Sequence, residues 1–428
     1  MPISQITANS VGFGSSTTGI QLPTGTTAQR PISPPAGSSR YNTTTGSIEF
    51  YNGTNWVSTN LIPTVNSVTG SIYVGFTTDL TLSVTNATDT ITVRFSEGGT
   101  VVADVTGVTV TAGSAIVGVP AAVYGQTAGD TIAVSVLNSD STPSSNSLNK
   151  TLIAPPTGGT IVVSSGFRYH TFTSSSNLVL PSGTSVTAEA LIIAGGGGGG
   201  SDGGGGGGAG GYLKVTGQSL TTGTYAVSVG AAGAGGVYNA SATTNGGNSS
   251  FNGNTAIGGG AGGSAAPGAG FTGQSGGSGG GGSRANSGGA GTAGQGFAGG
   301  NSTTSAYEGG GGGAGAVGGP GASPAGTAVG GVGKNTDSTW ASATSTGASG
   351  YYAGGGGGGY DAPVNGVNVG GAGGGGNGGD NSNPAIAGST NTGGGGGGNT
   401  STGPSYQGLS IRAGAPGGSG IVIVRYAV

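Results

Sequence analysis

The residues able to do chemistry are few, and their spacing fits no standard reaction. The chain has one histidine, His170, in the run "FRYHTFT". A lone imidazole in a strand pattern reads as a structural residue, and no nucleophile and orienting carboxylate can be placed around it. Ser275 lies in "GQSGG" at 273–277, which has nucleophile-elbow spacing but no strand before it and no helix after it. Lys334 lies in "GGVGKNTD", near a phosphate-binding loop in outline. However, Asn335 stands where the magnesium-binding hydroxyl is needed, and Ala328 stands where the first glycine belongs. The thirteen Asp and Glu residues are scattered. They form neither a glycosidase-like pair nor an Asp-rich calcium loop. Cysteine is absent, which removes thiolate chemistry, disulfides and Cys-ligated metals. The expectation is a protein that is not an enzyme, with no metal and no cofactor.

The elements that would carry these residues are almost all strands. Of 428 residues, 107 are glycine and only 5% are charged, against about a quarter in ordinary domains. Strong helix formers are thin, so an all-β chain without long helices is expected. Ten Lys and Arg at a net charge of −3 cannot build a patch that tracks phosphates, so nucleic acid is not an expected partner. The longest apolar runs, "ALIIAG" and "GIVIVRYAV", are too short to cross a bilayer as helices, so membrane insertion is not expected either. "PISQITANS" after Met1 has no basic or apolar leader character, and no secretory signal is expected.

Three regions follow from composition. Residues 1–60 are Thr-rich and punctuated by Pro31, Pro34 and Pro35. They predict a small β-hairpin module around "SRYN", "SIEFYN" and "WVS", with an Asn-Gly turn at 52–53. Tyr41, Ile48, Phe50 and Trp56 are expected to share one small apolar face. Residues 61–156 predict an immunoglobulin-like β-sandwich, from short β-branched runs separated by turn residues. Val74, Leu82, Val84, Ile91, Val93, Phe95, Val134 and Val136 are its expected core. "IAPPTGG" at 153–159 reads as a linker.

Residues 157–428 hold the long glycine tract. A flexible tether joins two domains, yet only a strand-like run, "GIVIVRYAV", follows this one. That run must pair with "ALIIAG" or "GYLKV", so the tract is an insertion pinned at both ends. The tract also carries Phe251, Phe271, Phe297, Tyr307, Trp340, Tyr351, Tyr352 and Tyr360, which flexible linkers avoid. Its glycines come in blocks of four to six, at 195–200, 203–208, 279–282, 309–313, 354–359, 373–376 and 393–398. A glycine block can form a polyproline II rod whose outward N–H and C=O groups bond neighbouring rods. The reading is a polyglycine II bundle carried by a C-terminal β-sandwich, with variable loops at its ends.

Two phrases carry a resemblance. "QLPTGTTAQRP…RYNTTTGSIEFYNGTNWV" resembles a module recurring in virion proteins of tailed phages, cyanophages especially. "FTSSSNLVLPSGTSVTAEALIIAGGGGGG…GGYLKV…GGSGIVIVRY" is similar to the glycine-rich adhesin domains of phage tail fibres. The resemblance implies a virion fibre protein, made in the host cytoplasm and located on the particle surface. The N-terminal module would dock it to other virion proteins, with Tyr41, Phe50 and Trp56 as the contact residues. The glycine-rich region would face a bacterial surface receptor, either a glycan or an outer-membrane protein. Tyr307, Trp340, Tyr351, Tyr352, Tyr360, Asp361 and Tyr406, which lie between glycine blocks, are the candidate receptor-binding residues, the alternative being that the aromatic rings pack over the rods or between subunits. A thin fibre buries little core, so a homotrimer is expected. The alternative is a head or neck decoration fibre that binds no receptor.

Overall fold

The computed structural model describes residues 22–428 except 45, 59–61, 76, 140, 239–240, 265–269, 304–306, 323–326, 361–367 and 401–412. It is nearly all β. The chain divides into two compact units, one running to Ala154 and one from Pro155 to Val428.

The first unit holds two sheets. A four-stranded one runs β1 (Thr24–Gly25), β2 (Ser39–Asn42), β3 (Ser47–Tyr51), β4 (Trp56–Ser58) in that order. The Asn52 side chain accepts from the N–H groups of Thr54 and Asn55 at 2.9 and 2.8 Å, closing the turn at the Asn-Gly pair. The sheet is inverted relative to ordinary patterning. Arg40, Asn42, Ser47 and Glu49 are buried, while Tyr41, Ile48 and Phe50 are exposed. Glu49 is fully enclosed and paired with Arg30 at 2.6 Å and Arg40 at 3.3 Å. Trp56 departs from the expected shared face. Phe50 pairs with Val57, and Trp56 pairs with Tyr51, so the two-residue period turns the indole to the opposite side, against Arg40.

The second sheet contains β5 (Thr64–Thr69), β6 (Ile72–Tyr73), β7 (Asp79–Thr85), β8 (Thr90–Glu97), β9 (Thr100–Thr111), β10 (Ser114–Gly118), β11 (Thr131–Asn138) and β12 (Leu148–Ile153), with a one-turn helix α1 (Ala121–Tyr124). Its order is β5-β7-β10-β9-β8-β11-β12-β6. It folds over on itself, since inward residues of both edge strands, Val65 and Ile72, join one core with Leu82, Phe95 and Val134. Seven of the eight expected core residues are buried, and Val74 packs at the margin, with Ile72 taking its place inside. The runs "TVVADVTG" and "VTVT" form one strand, β9. Gly107, at φ +72°, lets the chain bulge between Val105 and Val108 without ending the ladder. Strands β5 and β12 were not legible, because "TVNSVT" and "LNKTLI" are short and half polar.

The second unit is built on a seven-stranded sheet. Its strands are β13 (Thr160–Ser164), β14 (Phe167–Phe172), β15 (Ser176–Ile193), β16 (Tyr212–Ser228), β17 (Ser249–Phe251), β18 (Asn254–Ala256) and β19 (Ile421–Ala427). The order is β13-β14-β19-β15-β16-β17-β18. The terminal strand β19 lies between β14 and β15, with Ile421 opposite Ile193 and Val424 opposite Ala190. Of the two expected partners it takes "ALIIAG", while "GYLKV" sits on the far side of β15. The runs "LII" and "IVIV" are continuously apolar because β15 and β19 are covered on both faces. Ile192, Val422 and Val424 enter one core with Phe172, Leu180 and Phe251. Leu191, Ile193, Ile421 and Ile423 enter a second with Tyr212, Trp340 and Tyr352. The ring of Trp340 is carried by α2 (Ser338–Thr344), a seven-residue helix inside the glycine tract.

Candidate functional site

The glycine blocks are rods, and their hydrogen bonds show the pitch. Gly195 and Gly198 donate to Gly247 and Thr244. Gly196 and Gly199 donate to Gly418 and Ala415, and Gly197 and Gly200 to Gly208 and Gly205, all at 2.9–3.1 Å. Donors three apart meet acceptors three apart on the same neighbour, so the rod has three residues per turn and three bonded sides. The returning rod repeats the pattern. Gly204, Gly207 and Gly210 donate to Asn399, Gly396 and Gly393, and Gly205 and Gly208 to Gly263 and Gly260. Here glycine is required by space. A Cβ on Gly197 would stand 2.2 Å from the Gly260 carbonyl oxygen, and one on Gly206 would stand 2.1 Å from that of Gly356.

Rod direction defines two ends. Residues 195–200 leave β15 and run away from the sheet, and 204–210 return to β16. The 354–359 block bonds antiparallel to the returning rod, through Gly356 to Gly207 and Gly359 to Gly204. It therefore also runs outward. Six residues at this rise separate the ends by roughly 19 Å.

The far end gathers charge in a tract that is otherwise nearly uncharged. Arg284 pairs with Asp202 at 3.1 Å, and its guanidinium lies 5.8 Å from the ring of Phe271. The Arg284 N–H donates to Glu308 at 2.6 Å, and Glu308 is buried. Asp202 and Arg284 both take left-handed backbone, at φ +54° and +48°, a conformation that costs free energy in non-glycine residues and is often found at functional positions. Phe271 is 43% exposed. Tyr307 is half-buried beside these residues. Tyr360 is buried, and its hydroxyl donates to Asp380 at 3.2 Å. Burial works to raise the Asp380 carboxyl, but hydrogen bonds from Asn383 and from the Ser382 N–H outweigh it and hold the group low.

The sheet end carries others of those candidate residues, and of the two placements open to their rings, exposed or packed, Trp340 and Tyr352 take the packed one. Trp340 and Tyr352 are each 1% exposed and cap the second core. Their faces are already occupied, Trp340 by Tyr169 and by Arg425, whose guanidinium lies 4.3 Å from the indole. Tyr360 at the far end is equally enclosed. Tyr351 is half-buried next to Tyr352. Asp361 and Tyr406 lie outside the described residues. Asp337, immediately before α2, ties the helix to β16. It accepts from Lys214 at 2.6 Å and from the Tyr212 hydroxyl. Burial, reinforced by Asp337, pushes the Tyr212 hydroxyl well above the usual phenol range. His170 is fully buried, with Nδ1 2.8 Å from the Gly158 carbonyl and Nε2 3.1 Å from the Tyr426 hydroxyl. Burial lowers it to about 4.

Sequence reasoning missed Asp202, Phe271 and Arg284 as a cluster. A signal existed. The charges of the cluster lie within one residue of a glycine block: Asp202 before 203–208, Arg284 after 279–282 and Ser283, and Glu308 before 309–313.

The architecture is a β-sheet base carrying a polyglycine II bundle with side-chain-bearing ends. The glycine-rich domain family matches residues 171–427, well over half of the chain, and the chain belongs to that family. No curated protein matches it.

Proposed function

We propose that this chain is a fibre protein of a tailed-phage virion whose far end recognises the host surface. One observation carries the reading: the packed rods admit nothing larger than the alanines and serines buried at a few positions such as Ala209, Ala261 and Ser278, while the Asp202, Phe271, Arg284 and Tyr307 cluster stands at the end remote from the sheet. A rigid scaffold that confines sequence variation to its loops suits a recognition surface. The receptor is a bacterial surface molecule, a glycan or an outer-membrane protein. The N-terminal module supplies the other attachment. Its outward face of Tyr41, Ile48 and Phe50 is apolar and uncharged, which suits docking to another virion protein. Assembly as a homotrimer belongs to the same proposal and is checked by the solution mass against the 39.4 kDa chain.

The test is host binding. Labelled full-length chain is incubated with bacteria the parent phage infects, and phage adsorption is measured with the chain in excess. The expected result is cell staining and blocked adsorption, both reduced by a Phe271→Ala, Arg284→Ala double substitution. Absence of staining on every susceptible host would leave the second reading, a head or neck decoration fibre that binds no receptor.

A further inference from the structure

The sheet end holds a cleft that the far-end reading does not use. It measures about 490 Å³ and opens between the β13–β14 hairpin and α2, which is within the size range of small-ligand sites. Five hydroxyls line it, those of Ser164, Ser165, Ser338, Thr339 and Ser342. None of the five has a hydrogen-bond partner among the described residues, so all are free to bond a ligand. One wall is aromatic, formed by Phe167, half-buried, and Tyr169.

The charge of the cleft selects the ligand. Among the described residues, Arg425 is its only ionised lining residue, and it is already satisfied. Its guanidinium is held by Glu189 at 2.7 Å and donates to the Tyr169 hydroxyl at 3.2 Å. It is clamped between the rings of Phe167 at 4.1 Å and Trp340 at 4.3 Å. The guanidinium acts as the cleft floor and carries no unpaired charge toward it. An anion would find no open cation there, and a purely apolar ligand would strip water from five hydroxyls without replacing it. A molecule with many hydroxyls and one apolar face meets both surfaces, because its hydroxyls match the serines and threonine and its C–H face stacks on the Phe167 ring.

We infer that this cleft binds a neutral saccharide of one or two residues. The inference needs only the cleft and stands whether or not the chain is a virion fibre. A bound sugar would give the proposed adhesin a glycan contact separate from its far end.

Full-length chain is titrated with a panel of neutral mono- and disaccharides, followed by saturation-transfer NMR and calorimetry. Uronic acids and sialylated sugars serve as the charged arm. The expected result is binding of at least one neutral sugar in the millimolar range or tighter, with the acidic sugars at least tenfold weaker. Ser342→Trp fills the cleft from an exposed position and is expected to weaken that binding at least tenfold with an unchanged melting temperature. Phe271→Ala at the far end is expected to leave it unaltered. Absence of neutral-sugar binding, a preference for acidic sugars, or binding indifferent to Ser342→Trp would overturn the inference. Loss of host staining in the Phe271→Ala, Arg284→Ala chain with sugar binding intact would separate the far-end reading from this one.

Discussion

The sandwich of the first unit and the rod bundle of the second solve the same problem with opposite materials. In the sandwich, alternating side chains such as Leu82, Phe95 and Val134 fill one core, and the backbone ladders follow from them. In the bundle, side chains are reduced to hydrogen or, at a few positions such as Ala209, Ala261 and Ser278, to the smallest groups, and backbone N–H and C=O groups bond across three sides of the first and returning rods. Apolar burial drives the first. The second gains hydrogen bonds and close contact between bare chains, against the high entropy cost of ordering glycine. The sandwich can therefore absorb conservative changes of shape, whereas glycines such as Gly197 and Gly206 have no space for one added methyl.

The largest expected effect tests that contrast directly. Gly197→Ala puts a methyl 2.2 Å from the Gly260 carbonyl oxygen, with the Gly259 and Gly260 backbone as its nearest neighbours and no flexible side chain to yield. It is expected to cost about 4–5 kcal/mol or more, or to prevent folding of the second unit, as read by denaturant unfolding. Gly206→Ala should behave alike. If either variant keeps wild-type stability, close rod packing is wrong.

Next in size is Phe95→Ala, a fully buried ring in the sandwich, with an expected loss of about 3–5 kcal/mol. The loss should fall on the first unit's transition and leave the second unit's unmoved. A shift of both transitions would show that the units are not independent.

The third effect is a pH dependence of the second unit alone. His170 titrates near 6.5 when unfolded and at about 4 when folded. Its folded value is depressed, so the unfolded chain takes up the proton first as pH falls. Stability is full above about pH 6.5 and declines between there and 4, by about 3 kcal/mol at most. Urea unfolding at pH 7.5 and 4.5 measures it, and His170→Gln should flatten the dependence. An equally steep decline in that variant would assign it to other groups.

The smallest effect marks where glycine is dispensable. Gly294 lies in a loop with open space around it, at φ +79°. Gly294→Ala pays only for left-handed backbone, about 1 kcal/mol, against the far larger cost at Gly197. Amide exchange sharpens the same contrast. The hydrogen-bonded N–H groups of 196–200 and 204–208 should exchange far more slowly than those of 293 and 294, and complete exchange of both within seconds would remove the bundle.

Much of this was legible in residue order. The return of "GIVIVRYAV" to the sheet, the discrete glycine blocks and the alternation of the sandwich strands each follow from a local period. Placement of the rings was not. Trp340, Tyr352 and Tyr360 look alike in sequence to exposed loop aromatics, because a loop folded back on a sheet has no period of its own. The polar interior of the N-terminal sheet was equally hidden, since Arg40 and Glu49 become buried only through the Arg30 side chain brought in from outside the hairpin.

By itself, then, the order of residues determined that the chain builds on β-strands without long helices and that its glycine tract is pinned at both ends. Period two and the six-residue glycine blocks are local facts that any fold must respect. Only the tertiary structure decided which rod neighbours which, and which end collects Asp202, Phe271 and Arg284. Identical glycine blocks bond to one another equally well in any order. The choice among them is made by the few side chains at their ends and by the strands that anchor the first rod, the second and the last residues of the tract.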